Sequence, residues 1–269
     1  MELLVEQKHR VLHVTLNRPE KRNALNTAIC AELVKVIRAT QQQPDVGAIL
    51  LGANGPVFCA GMDLDEAAGM HDDDVADLHD DLFTIGANSI KPILACVNGA
   101  ALGGGLGLVA QAHIVVAAQG AVFGLPEVRI GLWPFLVYRA VEAAFGARRT
   151  LELSLTGRMF SAHDAQLWGL VHHVCPPAEA ADRAKTIARE IAKASPAAIA
   201  AGLQYFHASR GKSSKEAGQV AKHLRAGLMK SEDFHEGYEA FKQKRDPVWP
   251  GIPHHTDAHR QESGAKPNR

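Results

Sequence analysis

The feature that most constrains the fold of this chain is a short apolar segment that runs into a cluster of glycines. Residues 93–97 follow Pro92 and have the composition of a buried strand. Three consecutive glycines occupy positions 103–105, and the apolar run from Leu108 to Ala118 predicts a buried helix, or a helix that passes into a strand. Glycines between a strand and a helix leave backbone N–H groups free and let a ligand approach the main chain.

A glutamate, Glu127, follows in an apolar neighbourhood. Its apolar neighbours are Phe123, Leu125, Val128 and Ile130. They predict burial of the carboxyl group, which raises its pKa toward the working pH; the alternative is a carboxylate paired with Arg129 or Arg139. Amide donors and one isolated carboxylate suit enolate chemistry, because the donors hold the developing oxyanion while the carboxylate moves protons.

Composition excludes several classes of protein. The 269 residues, 46% of them apolar, can form one large domain or two small ones. The 29 basic and 29 acidic residues balance, which argues against a nucleic-acid binder held by bulk charge. The four cysteines form no CxxC pair, so we expect neither a metal nor a disulfide framework, and a cytoplasmic location. No signal peptide is expected, and residues 93–118 carry polar side chains that indicate a core, not a membrane span.

Strand and helix patterns alternate as far as residue 175, and helices alone follow. A starting hairpin is predicted over residues 2–6 and 10–16, followed by a helix from Thr27 to Gln42 that Asn26 caps. We predict an α/β core over residues 1–200 and a helical region over 201–250. The tail, residues 251–269, is rich in Pro, His and Asp and is expected to be disordered.

A second polar segment follows the predicted strand at 57–60. Asp63 and Glu66 have the spacing of a capping box, so a helix should begin at Leu64, and a plain capping role for Asp63 is favoured over a catalytic one. Residues 70–81 are acidic and predict a solvated, mobile segment. A helix from Leu82 to Ser89 should end before Pro92.

Five motifs in order carry a resemblance to a known family. They are Leu16-Asn17-Arg18-Pro19 with Asn23-Ala24-Leu25, Phe58-Cys59-Ala60-Gly61-Met62-Asp63-Leu64, residues 97–105, Phe123-Gly124-Leu125-Pro126-Glu127 with Gly131, and residues 231–247. Over roughly residues 10 to 250 the chain resembles the crotonase, or enoyl-CoA hydratase/isomerase, superfamily. The resemblance implies a spiral of ββα repeats with a C-terminal helical trimerisation region, in a homotrimer or a dimer of trimers.

The resemblance also implies an acyl-CoA thioester as ligand, with no separate cofactor and no metal. The thioester oxygen would lie between the backbone N–H groups of Met62 and Gly104, beside Glu127 as acid/base. The residues implied to bind the substrate are Arg22, Asn23, Ala24, Ala60, Met62, Asp63, Leu64, Asp65 and Gly104. Phe241 and Lys244 would reach the CoA of a neighbouring subunit, although Lys244 alone would be taken for a solvated helix charge.

The chain departs from the two-glutamate hydratases of this family at one position. Gly107 stands where those enzymes carry their first glutamate, and Glu127 matches the second. Phe135 stands where a dienoyl-CoA isomerase would carry an acid, which disfavours that subclass, and the glycine-rich segment of the hydratases after Gly131 is absent. A single carboxylate can shift a double bond by moving a proton between carbons, so isomerisation or an atypical hydration is favoured on mechanism, whereas overall resemblance favours a hydratase.

Alternatives to an enolate-forming enzyme remain open at this point. Gly107 also fits a non-catalytic acyl-CoA binder on the same fold. A second polar group could come from elsewhere in the chain, although solvation or capping is the favoured role of each candidate. The candidates are Asp65, Glu66, His79, Tyr138 and Glu142. The loose GxGxxA pattern at residues 105–110 suggests a dinucleotide site only weakly, because the glycines start six residues after the predicted strand ends.

Overall fold

The computed structural model describes residues 1–69 and 75–252, and the predicted hairpin opens it. Strands β1 (Leu3–Lys8) and β2 (Val11–Leu16) pair in antiparallel register. Helix α1 (Thr27–Thr40) follows, and the Asn26 side chain accepts a hydrogen bond from Ile29 N–H as its N-cap. The chain then returns as β3 (Ala48–Ala53), which lies parallel to β2.

Over the six strands that begin with β3 the chain alternates between two sheets, so that each of three turns adds one strand to each; the next strand stays in the smaller sheet, and the last returns to the larger. The remaining strands are β4 (Val57–Cys59), β5 (Ile93–Val97), β6 (Ala100–Leu102), β7 (Ile114–Ala118), β8 (Val122–Gly124), β9 (Met159–Ser161) and β10 (His173–Cys175). One sheet has the order β1-β2-β3-β5-β7-β10, and the other has the order β4-β6-β8-β9. This alternation is the spiral of ββα turns that the sequence predicted.

Helices connect the turns of the spiral and close its ends. They are α2 (Leu64–Ala67), α3 (Ala76–Phe83), α4 (Gly104–Ala110), α5 (Phe135–Phe145), α6 (Ala147–Thr156), α7 (Ala162–Leu167), α8 (Pro177–Ala192), α9 (Pro196–Ala208), α10 (Ser214–Leu228) and α11 (Glu232–Gln243). Short 3₁₀ helices span Pro19–Lys21 and Pro126–Ile130. Ser161 and Ser195 cap α7 and α9, since the side chain of each accepts a hydrogen bond from the N–H three residues later.

Both faces of the central strands of the six-stranded sheet are buried, whereas the edge strand β1 is largely exposed. Helix α8 covers the outer face with an alanine at every fourth position, and small side chains let the helix approach the strands closely. Those alanines are Ala180, Ala184, Ala188 and Ala192. The inner face contributes residues such as Val14, Ile49 and Leu51 to a core shared with the four-stranded sheet and with α1. Because the central strands are buried on both faces, their sequences are continuous apolar runs.

Several predicted boundaries require correction. The helix expected over residues 82–89 ends at Phe83, because the chain turns at Gly86, whose N–H donates to Gln111 Oε1. The expected mobile segment is wrong for residues 76–81, which belong to α3. Residues 70–74 of that segment lie outside the described residues, and so do residues 253–269 of the predicted tail. The apolar run Leu108 to Ala118 takes the second of its two predicted forms, a helix that passes into a strand.

The last three helices leave much of their apolar surface exposed. Helix α9 contains no buried residue, although most of its side chains are apolar. It is fixed by Asp233 at the start of α11, whose carboxylate accepts from the Ser195 hydroxyl (2.6 Å) and from Ala197 N–H (3.1 Å). The predicted division of the chain at residues 200 and 250 stays a prediction.

Candidate active site

Three consecutive loops of the four-stranded sheet meet at one edge. Met62 follows β4, Gly104 lies two residues beyond β6, and Glu127 follows β8. Strands β4, β6 and β8 are parallel neighbours, so their carboxyl ends lie side by side. In α/β folds this edge of a parallel sheet is the usual place for a ligand. The spiral therefore brings together the three residues that the sequence selected for catalysis.

The N–H of Met62 faces away from the segment that pairs with it. Leu25 N–H donates to Gly61 O (2.7 Å), and Asp63 N–H donates to Leu25 O (2.9 Å), which makes an isolated parallel bridge. In such a bridge the residue between the two bonded neighbours points its own N–H the other way. Met62 N–H has no acceptor among the described residues, so it is available to a ligand.

The second free N–H belongs to Gly104, the first residue of α4. The first amides of a helix have no acceptor within it, and the helix dipole adds partial positive charge there. Gly104 N–H donates to no acceptor in the part of the chain that the structure describes. A β-carbon on Gly61 would lie 3.4 Å from Gly104 N, so the Gly61–Met62 peptide adjoins the start of α4.

Two glycines are required for this approach. Gly61 has φ +94°, and a β-carbon there would lie 2.9 Å from Leu102 O. Gly103 has φ +51° and ψ −119°, which side chains disfavour, and its N–H donates to Gly124 O (2.9 Å). The turn after β6 is thus hydrogen-bonded to the end of β8 and packs closely against the loop after β4, which holds the two free N–H groups near each other.

The carboxyl group of Glu127 stands beside Gly103. A β-carbon on Gly103 would lie 2.9 Å from Glu127 Oε1. Glu127 Oε2 is buried and has no hydrogen-bond partner among the described residues. Burial raises the pKa of this carboxyl group, because its charged form is poorly solvated there. The group therefore holds a proton at a higher pH than an exposed glutamate does, as an acid/base catalyst requires.

The predicted surroundings of Glu127 are only half correct. Phe123 and Leu125 are fully buried, but Val128 and Ile130 are exposed, because the 3₁₀ helix Pro126–Ile130 turns them outward. The alternative ion pair is not formed: Arg139 pairs with Asp80 on α3, and no described residue makes an ion pair with Glu127.

The residues implied to bind CoA come from two segments that lie side by side. Arg22 O accepts from Ala60 N–H (3.0 Å), and the bridge at Leu25 continues the pairing toward Asp63. Ala24, Leu64 and Asp65 therefore lie in the same neighbourhood. At its outer edge Lys21 Nζ pairs with Asp65 Oδ2 at 3.0 Å.

Asp63 is a helix cap, as the sequence favoured. Its Oδ1 accepts from Asp65 N–H (3.2 Å) and Glu66 N–H (3.4 Å) at the start of α2. The capping box is incomplete, since the Glu66 carboxylate accepts from Thr27 N–H. Arg18 was not singled out from the sequence, yet its Nη1 lies 2.5 Å from Asp63 Oδ2 and holds the pKa of that carboxyl group below its usual range.

Asn23 is a structural residue of the same loop. It is fully buried, its amide donates to Asn54 O (2.9 Å) and Val57 O (2.8 Å), and its Oδ1 accepts from Arg18 N–H (2.8 Å). With φ +52° it also makes the turn that brings Arg22 toward Ala60. A ligand cannot touch Asn23 in this conformation, so its role is to shape the loop.

The last two implied residues lie at the end of α11, far along the chain. Phe241 is 82% exposed, and Lys244 caps the helix in a left-handed conformation. Helix α11 packs on α9. A contact of Phe241 and Lys244 with CoA on a neighbouring subunit stays a prediction.

Four of the five other polar candidates make side-chain contacts, and the fifth, Glu142, is half-buried on α5. Asp65 pairs with Lys21, Glu66 accepts from Thr27 N–H, and the Tyr138 ring stacks on Trp133 with a centroid distance of 6.4 Å. His79 lies one helical turn before Phe83, with a ring centroid distance of 6.4 Å. None of these contacts joins a second carboxylate to Glu127.

Metal binding and membrane insertion find no support in residues 1–69 and 75–252. In these ranges no group of three or more His, Cys, Asp or Glu side chains could hold a metal ion. No helix there is long and apolar enough to span a bilayer. The weak dinucleotide pattern lies within α4, whose glycines follow β6 in mid-chain and not the first strand of a βαβ unit.

Comparison with known proteins agrees with this arrangement. A sequence profile of the enoyl-CoA hydratase/isomerase family matches residues 6–252. The chain belongs to this family. Members of the enoyl-CoA hydratase/isomerase family act on acyl-CoA thioesters.

Individual family members resemble the chain over nearly its whole length. The mevalonyl-coenzyme A hydratase of Aspergillus fumigatus is 36% identical over 89% of the chain and 91% of its own length. The 2,3-dehydroadipyl-CoA hydratase of Escherichia coli K12 is 35% identical over 93% and 99%. The crystal structure of an enoyl-CoA hydratase from Mycobacterium smegmatis superposes with a TM-score of 0.88 at 30% identity, covering 93% of this chain and 99% of that one.

Proposed function

We propose that the protein catalyses proton transfer on an acyl-CoA thioester through an enolate. The Met62 and Gly104 N–H groups hold the thioester oxygen, and Glu127 is the acid/base. The observation that carries the proposal is the Glu127 carboxyl group, which is buried without a partner for Oε2 and lies against Gly103, next to the two free amides. A carboxyl group in that environment is adapted to take up and release a proton.

The reaction that one carboxylate serves best is a double-bond shift. The Glu127 carboxylate removes a proton from C2 of a 3-enoyl thioester, and the resulting negative charge moves onto the thioester oxygen. The protonated Glu127 then returns the proton to C4, which gives the conjugated 2-enoyl thioester and restores the carboxylate. Each amide donor to such an oxyanion is worth roughly 3 kcal/mol of barrier.

Hydration of a 2-enoyl thioester is the second candidate. It is favoured by the names of the relatives, since the Aspergillus fumigatus and Escherichia coli proteins are both hydratases. In this case a water oxygen would bond to C3, Glu127 would accept the water proton, and a proton would be added at C2. One carboxylate would then have to act as both base and acid, so we place this reaction second.

The position of the CoA moiety follows from the paired segments around Ala60. We propose that Arg22 and Ala24 border the CoA, while Ala60 to Asp65 line the acyl thioester. Support comes from the exposure of Arg22 and Leu64 beside Met62, and from the Lys21–Asp65 pair at the edge of this surface. An exposed cation such as Arg22 suits the phosphates of CoA.

We also propose a homotrimer or a dimer of trimers. The C-terminal helices expose large apolar side chains that a monomer would leave in water, and such patches mark protein interfaces. They are Tyr205, Phe206, Met229, Phe234, Tyr238 and Phe241. Light scattering on the purified protein should give the mass of three or six chains, and a monomer would contradict this assembly.

The test of the proposed chemistry is Glu127→Gln, with Glu142→Gln as the control. Glu142 is another half-buried glutamate, on α5. Each variant is incubated with a 2-enoyl-CoA and with a 3-enoyl-CoA in heavy water, and the products are analysed by mass. We expect Glu127→Gln to bind acyl-CoA as the wild type does but to lose turnover about 10³-fold, and Glu142→Gln to keep it. Unchanged turnover in Glu127→Gln contradicts the proposal. A wild type that binds without turnover is the result expected of a non-catalytic acyl-CoA binder.

A further inference from the structure

The ring of Phe83 covers the glycine face of α4. Gly104 and Gly107 are one helical turn apart, so they lie on the same face of that helix. A β-carbon on Gly107 would lie 2.8 Å from Phe83 Cδ1 and Cε1, and one on Gly104 would lie 3.3 Å from Phe83 Cζ. Phe83 is 7% exposed, so the ring fills this space almost completely.

No polar group can stand beside Gly107 while the ring is there. Any side chain at position 107 would overlap the ring edge, and Val137 Cγ1 closes the space from a second direction at 3.2 Å. A β-carbon on Gly104 would lie 3.1 Å from Leu25 Cδ1. A bound water needs at least two polar partners, and this wall supplies carbon atoms only.

Helix α3 holds the ring in place from both sides. Asp81 pairs with Arg38 of α1 at 2.5 Å, and Asp80 pairs with Arg139 of α5. Phe83 ends this helix, two residues after Asp81, and its ring enters the core between α1, α4 and α5. The packing of α3 against these three helices therefore places the ring against α4.

Phe83 and Glu127 lie next to consecutive residues, Gly104 and Gly103. Glu127 adjoins Gly103, whereas Phe83 adjoins Gly104, whose N–H is assigned to the thioester oxygen. C2 and C3 of the acyl group are one and two bonds from the carbonyl carbon. An acyl group bound through Gly104 N–H therefore meets the carboxylate and the apolar ring within a few bonds of each other.

We propose that Phe83 determines reaction specificity by excluding water from C3, which commits the site to 3-enoyl thioesters and a proton shift. This inference rests on the proposed function, because it assumes the oxyanion site and Glu127 as its acid/base. The proton that leaves C2 is the one that Glu127 delivers to C4, so the step consumes no water and needs no co-reactant. Phe83 acts through the space it fills and takes no part in proton transfer.

The first test compares Phe83→Ala and Phe83→Leu with Phe160→Ala. Phe160 is a buried ring on β9 that packs on Phe145 and Trp168 and so controls for the loss of a core phenyl group. Each protein receives a 3-enoyl-CoA in heavy water, and the ratio of hydrated to isomerised product is measured by mass. We expect Phe83→Ala to raise that ratio by about tenfold or more, and Phe83→Leu and Phe160→Ala to leave it unchanged. An equal ratio in Phe83→Ala and the wild type overturns the role of Phe83.

The second test is a cycle of Gly107→Glu with and without Phe83→Ala. The single change Gly107→Glu should cost both folding and turnover, because the new side chain overlaps the ring. The double variant should recover folding and hydrate a 2-enoyl-CoA, since space for a second carboxylate is restored; such coupling is expected of residues in contact. Equal losses in the single and the double variant contradict the contact on which the proposal rests.

Isomerisation of a 3-enoyl-CoA distinguishes a failure of the proposed function from a failure of the role of Phe83. It requires Glu127 and the oxyanion amides but not Phe83, so the wild type and the Phe83 variants should all catalyse it. If the wild type does not, the proposed function fails and the inference fails with it. If the wild type isomerises but hydrates equally fast, only the role of Phe83 is overturned.

Discussion

Glu127 Oε1 lies against the Cα of Gly103, so close that a single added β-carbon would stand 2.9 Å from it. The same glycine has φ +51° and ψ −119° and begins the turn into α4. Gly103 thus leaves the space that the Glu127 carboxylate occupies, and its backbone conformation sets the direction of the Gly104 N–H. The acid/base and the oxyanion donor are positioned by the same turn of backbone.

Gly103→Ala should remove activity more than it removes binding. The methyl group would displace the Glu127 carboxylate, and the alanine would strain the turn by about 1–3 kcal/mol. We expect kcat to fall about 10²-fold because the catalytic group is misplaced, with a lower Tm. Steady-state kinetics and a thermal melt measure the two effects.

The control for this change is Gly120→Ala. Gly120 is exposed, and nothing lies within 4 Å of a β-carbon at that position. Its kinetics and Tm should match those of the wild type. Full activity in Gly103→Ala would show that the carboxylate does not need its present position.

Glu127 should also give opposite pH dependences of activity and stability. Burial raises its pKa above 4.5 in the folded protein. A base must be ionised, so turnover of a 3-enoyl-CoA should fall as the pH drops through that raised pKa. The free energy of unfolding should instead fall as the pH rises, since folding favours the protonated form of Glu127. The stability that this form contributes is complete below about pH 4.5 and is lost as the pH rises through the folded pKa.

Glu127→Gln cannot ionise and should therefore have a higher Tm than the wild type at about pH 8 but not at about pH 4. Thermal melts of the two proteins at both pH values provide the comparison. A lower Tm for the variant at the alkaline pH would mean that the ionised carboxylate is stabilised by a partner.

Glycines and strand order made the site predictable from the sequence. Positions 103–105 and Glu127 each follow a short apolar segment, and parallel strands bring such segments to one edge. The helix cap at Asp63 could also be predicted from the sequence, because capping depends on neighbours within three residues. These features are local, or they repeat with the period of the chain.

Contacts between distant segments could not be predicted from the sequence. The Arg18–Asp63 pair joins residues 45 positions apart, and the bridge between Leu25 and Met62 joins two loops. Phe83 looked like part of a helix running to residue 89, and only the packing of α3 on α4 shows that its ring meets Gly107. Side chains far apart in sequence meet according to the tertiary structure, which local propensity does not encode.

The Arg18–Asp63 pair should matter for substrate binding, because it holds the loop of Arg22 and Ala24 against the start of α2. Asp63→Asn keeps an oxygen for the helix cap but loses the ion pair, so we expect a higher KM for acyl-CoA at nearly unchanged kcat. Asp63→Ala also loses the cap and should lower the free energy of unfolding by a further ~1 kcal/mol. Urea titrations compare the two variants, and equal stabilities would contradict the capping role.

Acid should weaken the six-stranded sheet through a histidine that completes its hydrogen bonding. His113 precedes β7, and its Nδ1 accepts from Ile93 N–H at the start of β5 (2.9 Å). Burial, followed by the charge of the neighbouring His207, lowers the pKa of His113 from 6.5 to about 4. The stability it contributes is complete above 6.5 and is lost as the pH falls through about 4, because the unfolded chain takes up the proton first. His172, which precedes β10, makes the same kind of hydrogen bond: its Nδ1 accepts from Val115 N–H (3.0 Å).

Asparagine can test this explanation, since its Oδ1 can accept the same N–H and does not titrate. We expect His113→Asn to reduce the loss of unfolding free energy between about pH 6.5 and pH 4, and His113→Phe to cost ~1–3 kcal/mol even at neutral pH, because Ile93 N–H is left unsatisfied. His163, which is exposed on α7, provides the control as His163→Asn. Urea titrations over this pH range decide the matter: if His113→Asn loses stability as steeply as the wild type does, protonation of His113 is not what weakens the sheet.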